Sequence, residues 1–266
     1  MNNRILHSDD MVFGLYLCRR GECDMTINGA QFHIHEGATL IKSPLLRISD
    51  VRYSDDCQVM TIFEEDIVDI APIASKNFDT IQGLLNHDIF DIQLSESDQL
   101  FLLERMSLID RYKGELQSEL SFGNEHQMLR EIIIMIEQTT ILEYARMLLK
   151  RGDTATIRNG EGGIMVRFMF LLFQHYKEHR EVAYYANALH FSTRHFTRII
   201  KQTSHRTPSE WIAMITIYQA KRLLHKTNNS VKEVAEALNF PEQFTFRKYF
   251  KHHTGCSPKE YKQGNL

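Results

Sequence analysis

The chain has 266 residues, 43% hydrophobic and 24% charged, with 31 Lys+Arg against 34 Asp+Glu and a formal net charge of −3. That composition excludes a wholly disordered polymer, and no run reaches the roughly 18 apolar residues of a membrane span. Arg4, His7, Asp9 and Asp10 stand where a signal peptide needs an apolar core, so a cytosolic protein of two modest domains, or one large one, is expected.

Residues 12–70 read as short strands. Residues 12–17 are rich in β-formers, Gly21 marks a turn, and 23–27 and 31–35 alternate on either side of Asn28-Gly29, a strong hairpin signal. Residues 38–42, 48–53 and 59–63 follow, a rhythm that suggests a small barrel or sandwich. Within 31–35 the alternation turns Phe32 and Ile34 inward and leaves His33 and His35 as solvated strand histidines, with no metal-ligand set assembled around them. The four cysteines, Cys18, Cys23, Cys57 and Cys256, form no C-x-x-C pair and read as scattered reduced thiols. Cys18 and Cys23 are close enough in sequence to face each other across a hairpin, which leaves a redox role open.

Two helices are expected next, over 95–116 and 122–151, joined near Gly123. Leu100, Leu103, Met106 and Ile109 stripe the first. The second is apolar over a wide arc that includes Met128, Leu129, Ile132, Ile133, Met135, Ile136, Leu142, Tyr144 and Leu148. Such a helix is either buried within its domain or used for dimerisation.

The charge is unevenly divided. Residues 1–181 carry 18 basic and 29 acidic side chains, net −11, and residues 182–266 carry 13 basic and 5 acidic, net +8. Taken whole, −3 argues against a nucleic-acid partner; divided, it marks a basic C-terminal block with the footprint of a polyanion binder. That block contains a repeat. Val182, Ala186, Ala188, Leu189 and Phe191 match Val231, Ala235, Ala237, Leu238 and Phe240 at an offset of 49, and Phe196, Lys201, Pro208 and Glu210 match Phe246, Lys251, Pro258 and Glu260 at 50. A fixed period signals a duplicated supersecondary unit.

Each copy reads as two short helices. Ser230, with Glu233 three residues on, opens the first helix of the second copy as a capping box, and Asn239 ends it. Pro241 suits the first position of the next helix. Ser192 caps the corresponding helix of the first copy. Phe196, Ile199 and Ile200 point inward there, as do Phe246, Tyr249 and Phe250 in the second copy. Arg194, Thr197, Arg198 and Lys201, and in the second copy Gln243, Arg247, Lys248 and Lys251, are left outside. The pattern is a helix-turn-helix whose outer helix fits a major groove, where Arg or Lys reads guanine and Gln reads adenine. Residues 209–226 form a rigid connecting helix that holds two reading heads about one DNA turn, roughly 34 Å, apart.

Over residues 162–262 the chain resembles the AraC/XylS family of bacterial transcription regulators, most of all those common in Bacteroidetes. The run 217–224 (IYQAKRLL) resembles the family's linker helix, 231–240 the first helix of its second helix-turn-helix, and 246–261 (FRKYFKHHTGCSPKEY) its C-terminal signature. The resemblance implies an α+β protein: an N-terminal small, cupin-like β-barrel with dimerisation helices (1–151), a linker (152–162) and an all-α DNA-binding domain (163–266). That last domain would have seven helices, the first over about 163–178, and two helix-turn-helix units joined by the linker helix. It places base-facing positions at Arg194, Thr197 and Arg198 and at Gln243, Phe244, Arg247 and Lys248. Ser192, Thr193 and Thr245 would lie near phosphate, and Lys201 and Lys251 complete the basic faces. It implies double-stranded DNA as partner, a homodimer through the 122–151 helix, RNA polymerase contact, a small-molecule effector, no cofactor and no membrane.

Three departures from the family stand out. Asn239 replaces a Gly before Phe, and His205 stands where the second copy has Gly255. Phe244 replaces a small polar residue and would contact a thymine methyl or fold back onto the core. The function expected is a sequence-specific transcription regulator, an activator rather than an enzyme. The alternatives are a cupin-type metal enzyme with an accessory nucleic-acid domain, and a DNA-bound scaffold without an effector. The enzyme lacks support: His33 and His35 are followed at once by Glu36 with no suitable later His in the strands, and neither a nucleophile elbow nor H-E-x-x-H is present.

Overall fold

The computed structural model describes residues 11–44, 46–66, 92–117, 123–150, 161–225 and 229–264. The chain divides into two compact units, Met1–Ile157 and Arg158–Leu266. Most of the expected linker, residues 152–160, and Lys226 at the end of the expected connecting helix lie outside the described residues, as do Arg4, His7, Asp9 and Asp10.

The first unit contains β1 (Val12–Arg20), β2 (Glu22–Ile27), β3 (Ala30–His35), β4 (Ala38–Lys42), β5 (Ile48–Tyr53), β6 (Gln58–Asp66) and β7 (Ile92–Gln93), then α1 (Glu96–Gln117) and α2 (Asn124–Lys150). The strands make two sheets, β6-β1-β4-β7 and β3-β2-β5, so among the described residues the expected barrel is not closed. The reason lies in the pairing. β1 and β2 each spend both edges within their own sheet, and among the described residues the edge strands β6, β7, β3 and β5 share no ladder, so the sheets meet through side chains. Tyr16 and Cys18 from β1, Cys23, Met25 and Ile27 from β2, Ile34 and Leu40 form one buried cluster between them. β1 is buried without a break from Phe13 to Cys18, which is why that stretch reads as a continuous apolar run rather than an alternation. α1 packs against β6, and the Tyr144 hydroxyl of α2 lies 2.7 Å from Thr39 Oγ1 of β4.

The Asn28-Gly29 hairpin forms as expected, both residues at positive φ (51° and 88°), which matches the twist of the flanking strands. In β3, Ile34 is buried and Phe32 half-buried. His33 is exposed, with Nδ1 2.8 Å from Asp24 Oδ1, and His35 is half-buried. α1 and α2 pack as a pair tied by Lys113 Nζ and Glu137 Oε1 at 3.1 Å. The wide apolar arc of α2 is divided: Leu129, Ile133, Ile141, Tyr144 and Leu148 are buried, whereas Met128 and Met135 are 62% and 55% exposed.

The second unit is helical: α3 (Glu161–His175), α4 (Val182–Ala188), α5 (Thr193–Ser204), α6 (Pro208–His225), α7 (Val231–Ala237), α8 (Gln243–Thr254) and α9 (Pro258–Lys262). α3 begins two residues before the expected start and ends at His175, with a turn covering the rest of the expected span. Its Phe168 meets Tyr185 of α4 and Phe196 of α5 edge-on, at 5.5 and 5.2 Å between ring centroids. α6 contacts α5 as well as α7, α8 and α9. Trp211, Ile212, Ile215, Ile217, Ala220 and Leu224 of α6 are buried, so it serves as the shared core of both helical pairs.

Candidate nucleic-acid interface

The repeat seen in the sequence is a repeat of backbone geometry. In the first copy α4 ends when His190 adopts φ 62°. Its N–H then reaches the Asn187 carbonyl (3.0 Å), and the Phe191 N–H reaches Ala186 (2.8 Å). In the second copy Asn239 adopts φ 51°, with its N–H to Glu236 (2.9 Å) and the Phe240 N–H to Ala235 (2.9 Å). Both are Schellman endings, which satisfy carbonyls that would otherwise be orphaned at a helix C-terminus. The position needs a left-handed residue; Asn adopts it more readily than most, and His190 bears a larger steric cost.

The outer helices then start differently. Ser192 Oγ accepts the His195 N–H at 3.3 Å and caps α5 as expected. In the second copy α8 starts at Gln243 with Glu242 as an N-cap that makes no side-chain cap bond. Pro241 therefore lies two residues ahead of the helix rather than at its first position. The physical reason is that Pro241 follows Phe240 directly, and Phe240 is held in the core by the Schellman bond and by contacts with Phe246 and Tyr249, so the chain needs two further residues to turn.

Both outer helices bury one stripe and expose the other. Phe196, Ile199 and Ile200 are buried in α5, as are Phe246 and Phe250 in α8, with Tyr249 half-buried. Ser192, Thr193, Arg194, Arg198 and Lys201 are exposed, while Thr197 is half-buried. In the second copy Phe244, Thr245, Arg247, Lys248 and Lys251 are exposed and Gln243 is half-buried. The residues singled out by sequence thus line one face of each outer helix, with Thr197 and Gln243 partly withdrawn. Arg198 Nη1 donates to Gln202 Oε1 at 3.2 Å, one turn on, which orients the guanidinium along the helix. Phe244 does not fold back: it is 61% exposed, with Lys248 Nζ 4.4 Å from its ring centre, a cation–π pair on the outer face.

Both outer helices end alike. His205 (φ 58°) and Gly255 (φ 82°) occupy the left-handed position, and each donates its N–H at 2.9 Å, to Lys201 and Lys251 respectively. Capping boxes then open the next helices. Glu210 accepts from the Thr207 N–H (2.6 Å), and Glu260 accepts from the Ser257 N–H (2.7 Å). Ser230 and Glu233 make the third box, ahead of α7, as the sequence predicts.

Arg180, just ahead of α4, had no sequence signal beyond its charge. Its guanidinium donates to the Leu238 carbonyl in the second copy's turn and lies 3.9 Å from the Phe240 ring centre. Nearby, Asn239 Nδ2 donates to Glu178 Oε1 at 3.4 Å. The segment leading into the first helical pair is thereby tied to the turn of the second.

In the first unit, a cavity of about 260 Å³ opens on the exposed face of the three-stranded sheet, lined by Asp24, Thr26, Gln31, His33, Asp50 and Arg52 among others. Among the described residues no three His, Cys, Asp or Glu side chains are arranged to hold a metal ion, and no helix is long and apolar enough to cross a membrane.

Residues 185–264 match the protein family described as a helix-turn-helix domain. Over 258 residues the chain is 24% identical to an uncharacterised HTH-type transcriptional regulator, YisR, of Bacillus subtilis (strain 168), an alignment that covers 95% of this chain and 86% of that one. It is 25% identical over 118 residues to the HTH-type transcriptional activator RhaS of Enterobacter sp. (strain 638), covering 44% of this chain and 42% of that one. Among solved structures, the DNA-binding domain of the global transcriptional factor AdpA in complex with a target DNA is similar at a TM-score of 0.35 and 27% identity, covering 38% of this chain and 90% of that one.

Proposed function

We propose that this chain, a DNA-binding transcription regulator of the AraC/XylS type, reads duplex DNA by laying α5 and α8 in successive major grooves. The observation that carries the reading is the duplicated geometry: two Schellman turns, each followed by a helix whose outer face carries cations. Arg194, Thr197 and Arg198 of α5 and Gln243, Phe244, Arg247 and Lys248 of α8 face base edges. Ser192, Thr193, Thr245, Lys201 and Lys251 face phosphate. Phe244, exposed on that face, suits contact with a thymine methyl. Residues 163–266 form the reading domain, and residues 1–151 the regulatory and dimerisation domain.

The enzyme reading is not favoured, since the relatives are named as transcription regulators. Activation, rather than repression, is supported by the relative named as an activator. A homodimer through α2 is supported by the exposed stripe of Met128 and Met135, seven residues apart with half-buried Ile132 between them, which is the spacing of a helix–helix seam. A small polar effector is supported by the cavity on the three-stranded sheet. Contact with RNA polymerase, a cytoplasmic location and a cupin-like ancestry of the sheets rest on the family resemblance.

The test is binding of the full chain to operators selected from random duplexes. Arg198→Ala and Lys248→Ala are each expected to weaken binding by about 1–3 kcal/mol and to relax base preference, each in a different half of the site. Unchanged affinity and preference in both variants would show that these faces do not read DNA.

A further inference from the structure

The first unit brings three of the four cysteines together. Cys18 ends the buried part of β1, Cys23 lies in β2 just past the turn at Gly21, and Cys57 precedes β6; all three belong to the buried cluster between the sheets. Gly21 makes this convergence possible. It holds φ 68°, and a Cβ there would stand 2.8 Å from the Cys57 Cα, so only glycine lets the β1–β2 turn and the turn at residues 54–57 approach backbone to backbone. Cys57 packs in the same buried cluster as Cys18 and Cys23, and Cys18 Sγ lies 3.6 and 3.5 Å from the carbonyls of Arg20 and Gly21.

We infer that Cys18, Cys23 and Cys57 form a disulfide-forming site, in which Cys57 attacks a hydroperoxide and Cys18 or Cys23 resolves the product. Of the three, Cys57 is the least buried, 6% exposed against 2% and 1%. It sits in a short turn closed by its own N–H to the Ser54 carbonyl (3.0 Å), beside exposed Asp55 and Asp56, where local opening is easier than within a strand. Burial pushes the Cys18 and Cys23 thiols up to about 12, so both stay protonated at neutral pH and act as donors. Burial also raises Cys57, as do the Asp56 and Glu22 carboxylates, while its two thiol neighbours oppose that shift, so it is raised less than Cys18 and Cys23 and is the first of the three sulfurs to reach the thiolate as pH rises.

The chemistry balances. The Cys57 thiolate attacks the O–O bond, the alkoxide leaves and takes a proton, and a sulfenic acid remains. The sulfur of Cys18 or Cys23 then attacks Cys57 Sγ, the S–O bond breaks, and water leaves with the attacking thiol's proton. Two thiols lose two electrons, and one hydroperoxide is reduced to alcohol and water. A bond to Cys23 joins the two sheets; a bond to Cys18 joins β1 to the start of β6. Cys256, alone in the second unit, has no such partner among the described residues.

The experiment treats the full chain with tert-butyl hydroperoxide, removes the oxidant, unfolds the chain in guanidinium chloride containing N-ethylmaleimide to block every remaining thiol, and maps cross-linked peptides by mass spectrometry. The expected result is loss of two alkylatable thiols, a cross-link from Cys57 to Cys18 or Cys23, reversal by dithiothreitol, and Cys256 still alkylated. All four thiols remaining alkylatable, or cross-links that omit Cys57, would overturn the inference. Cys57→Ser is expected to slow loss of Cys18 and Cys23 thiols at least tenfold; an unchanged rate in a variant with native circular dichroism would remove Cys57 as the attacking group. Mapping of the unaltered chain decides the matter even where that variant fails to fold. DNA affinity enters none of these readouts, so the inference stands or falls apart from the DNA-reading proposal.

Discussion

At the scale of single residues, the two copies of the repeat give matched controls within one molecule. His205 and Gly255 fill the same left-handed position, yet only glycine is free of the Cβ clash there, a difference of about 1–2 kcal/mol before glycine's larger entropy in the unfolded chain is counted. His205→Gly is therefore expected to stabilise the protein by about 0.5–1 kcal/mol, read as a higher urea midpoint at unchanged slope; a lower midpoint would mean that the His205 side chain makes a contact of greater worth. The capping boxes give a second residue-scale expectation. Glu210, Glu233 and Glu260 are each held below the usual carboxylate range by hydrogen bonds from the backbone and side chain of Thr207, Ser230 and Ser257. A carboxyl whose folded value is depressed stabilises the protein fully above its unfolded value and loses that contribution as pH falls through the folded value. Melting temperature should fall as pH drops below about 4.5, and the triple Glu→Gln variant should show a shallower decline across the same window.

At the scale of elements, α6 and Arg180 decide how the two outer helices, α5 and α8, stand to each other. α6 was legible from its apolar periodicity because one continuous helix carries the whole pattern. Arg180 was not, because its partners Leu238 and Phe240 lie 58 and 60 residues on and only folding brings them near. Removing the guanidinium leaves the Leu238 carbonyl without that donor and takes the cation from the Phe240 ring, a loss of about 1–3 kcal/mol. The sharper expectation is functional. Arg180→Ala should weaken binding to a duplex with both half-sites more than tenfold, while binding to a duplex with one half-site changes less than threefold. Equal losses on the two duplexes would show that Arg180 supports folding and not the geometry between the heads. The division of α2 into buried and exposed apolar positions also belongs to this scale. Periodicity counted them together, and the packing of α1 and the strands chose which became core.

For the whole molecule, the net charge of −3 conceals an acidic N-terminal part at −11 and a basic C-terminal part at +8. DNA repels the one and attracts the other, so association depends on salt through the phosphates that the basic part neutralises. The logarithm of the binding constant should fall linearly with the logarithm of salt concentration, with a slope of about −0.9 per neutralised phosphate. Lys201→Ala and Lys251→Ala should each reduce that slope by about 1 while leaving base preference intact. A slope unaltered by either substitution would take those lysines off the phosphate backbone.

Sequence by itself determined the features whose physics is local. The Asn28-Gly29 turn, the Ser230 and Ser192 caps, the left-handed Asn239 and the duplicated helical pair all rest on hydrogen bonds spanning three to five residues, and residue type selects them before any tertiary contact exists. Pro241 escaped because its place depends on where Phe240 is anchored. Tertiary structure alone decided what depends on residues far apart in the chain. Among the described residues it set two facing sheets in place of a closed barrel, and the contact of Thr39 with Tyr144 across 105 residues. It also set the clasp of Arg180 on the second turn and the meeting of Cys57 with Cys18 and Cys23. The cysteines read as scattered thiols because spacing along the chain carries no information about two turns packed backbone to backbone over a glycine.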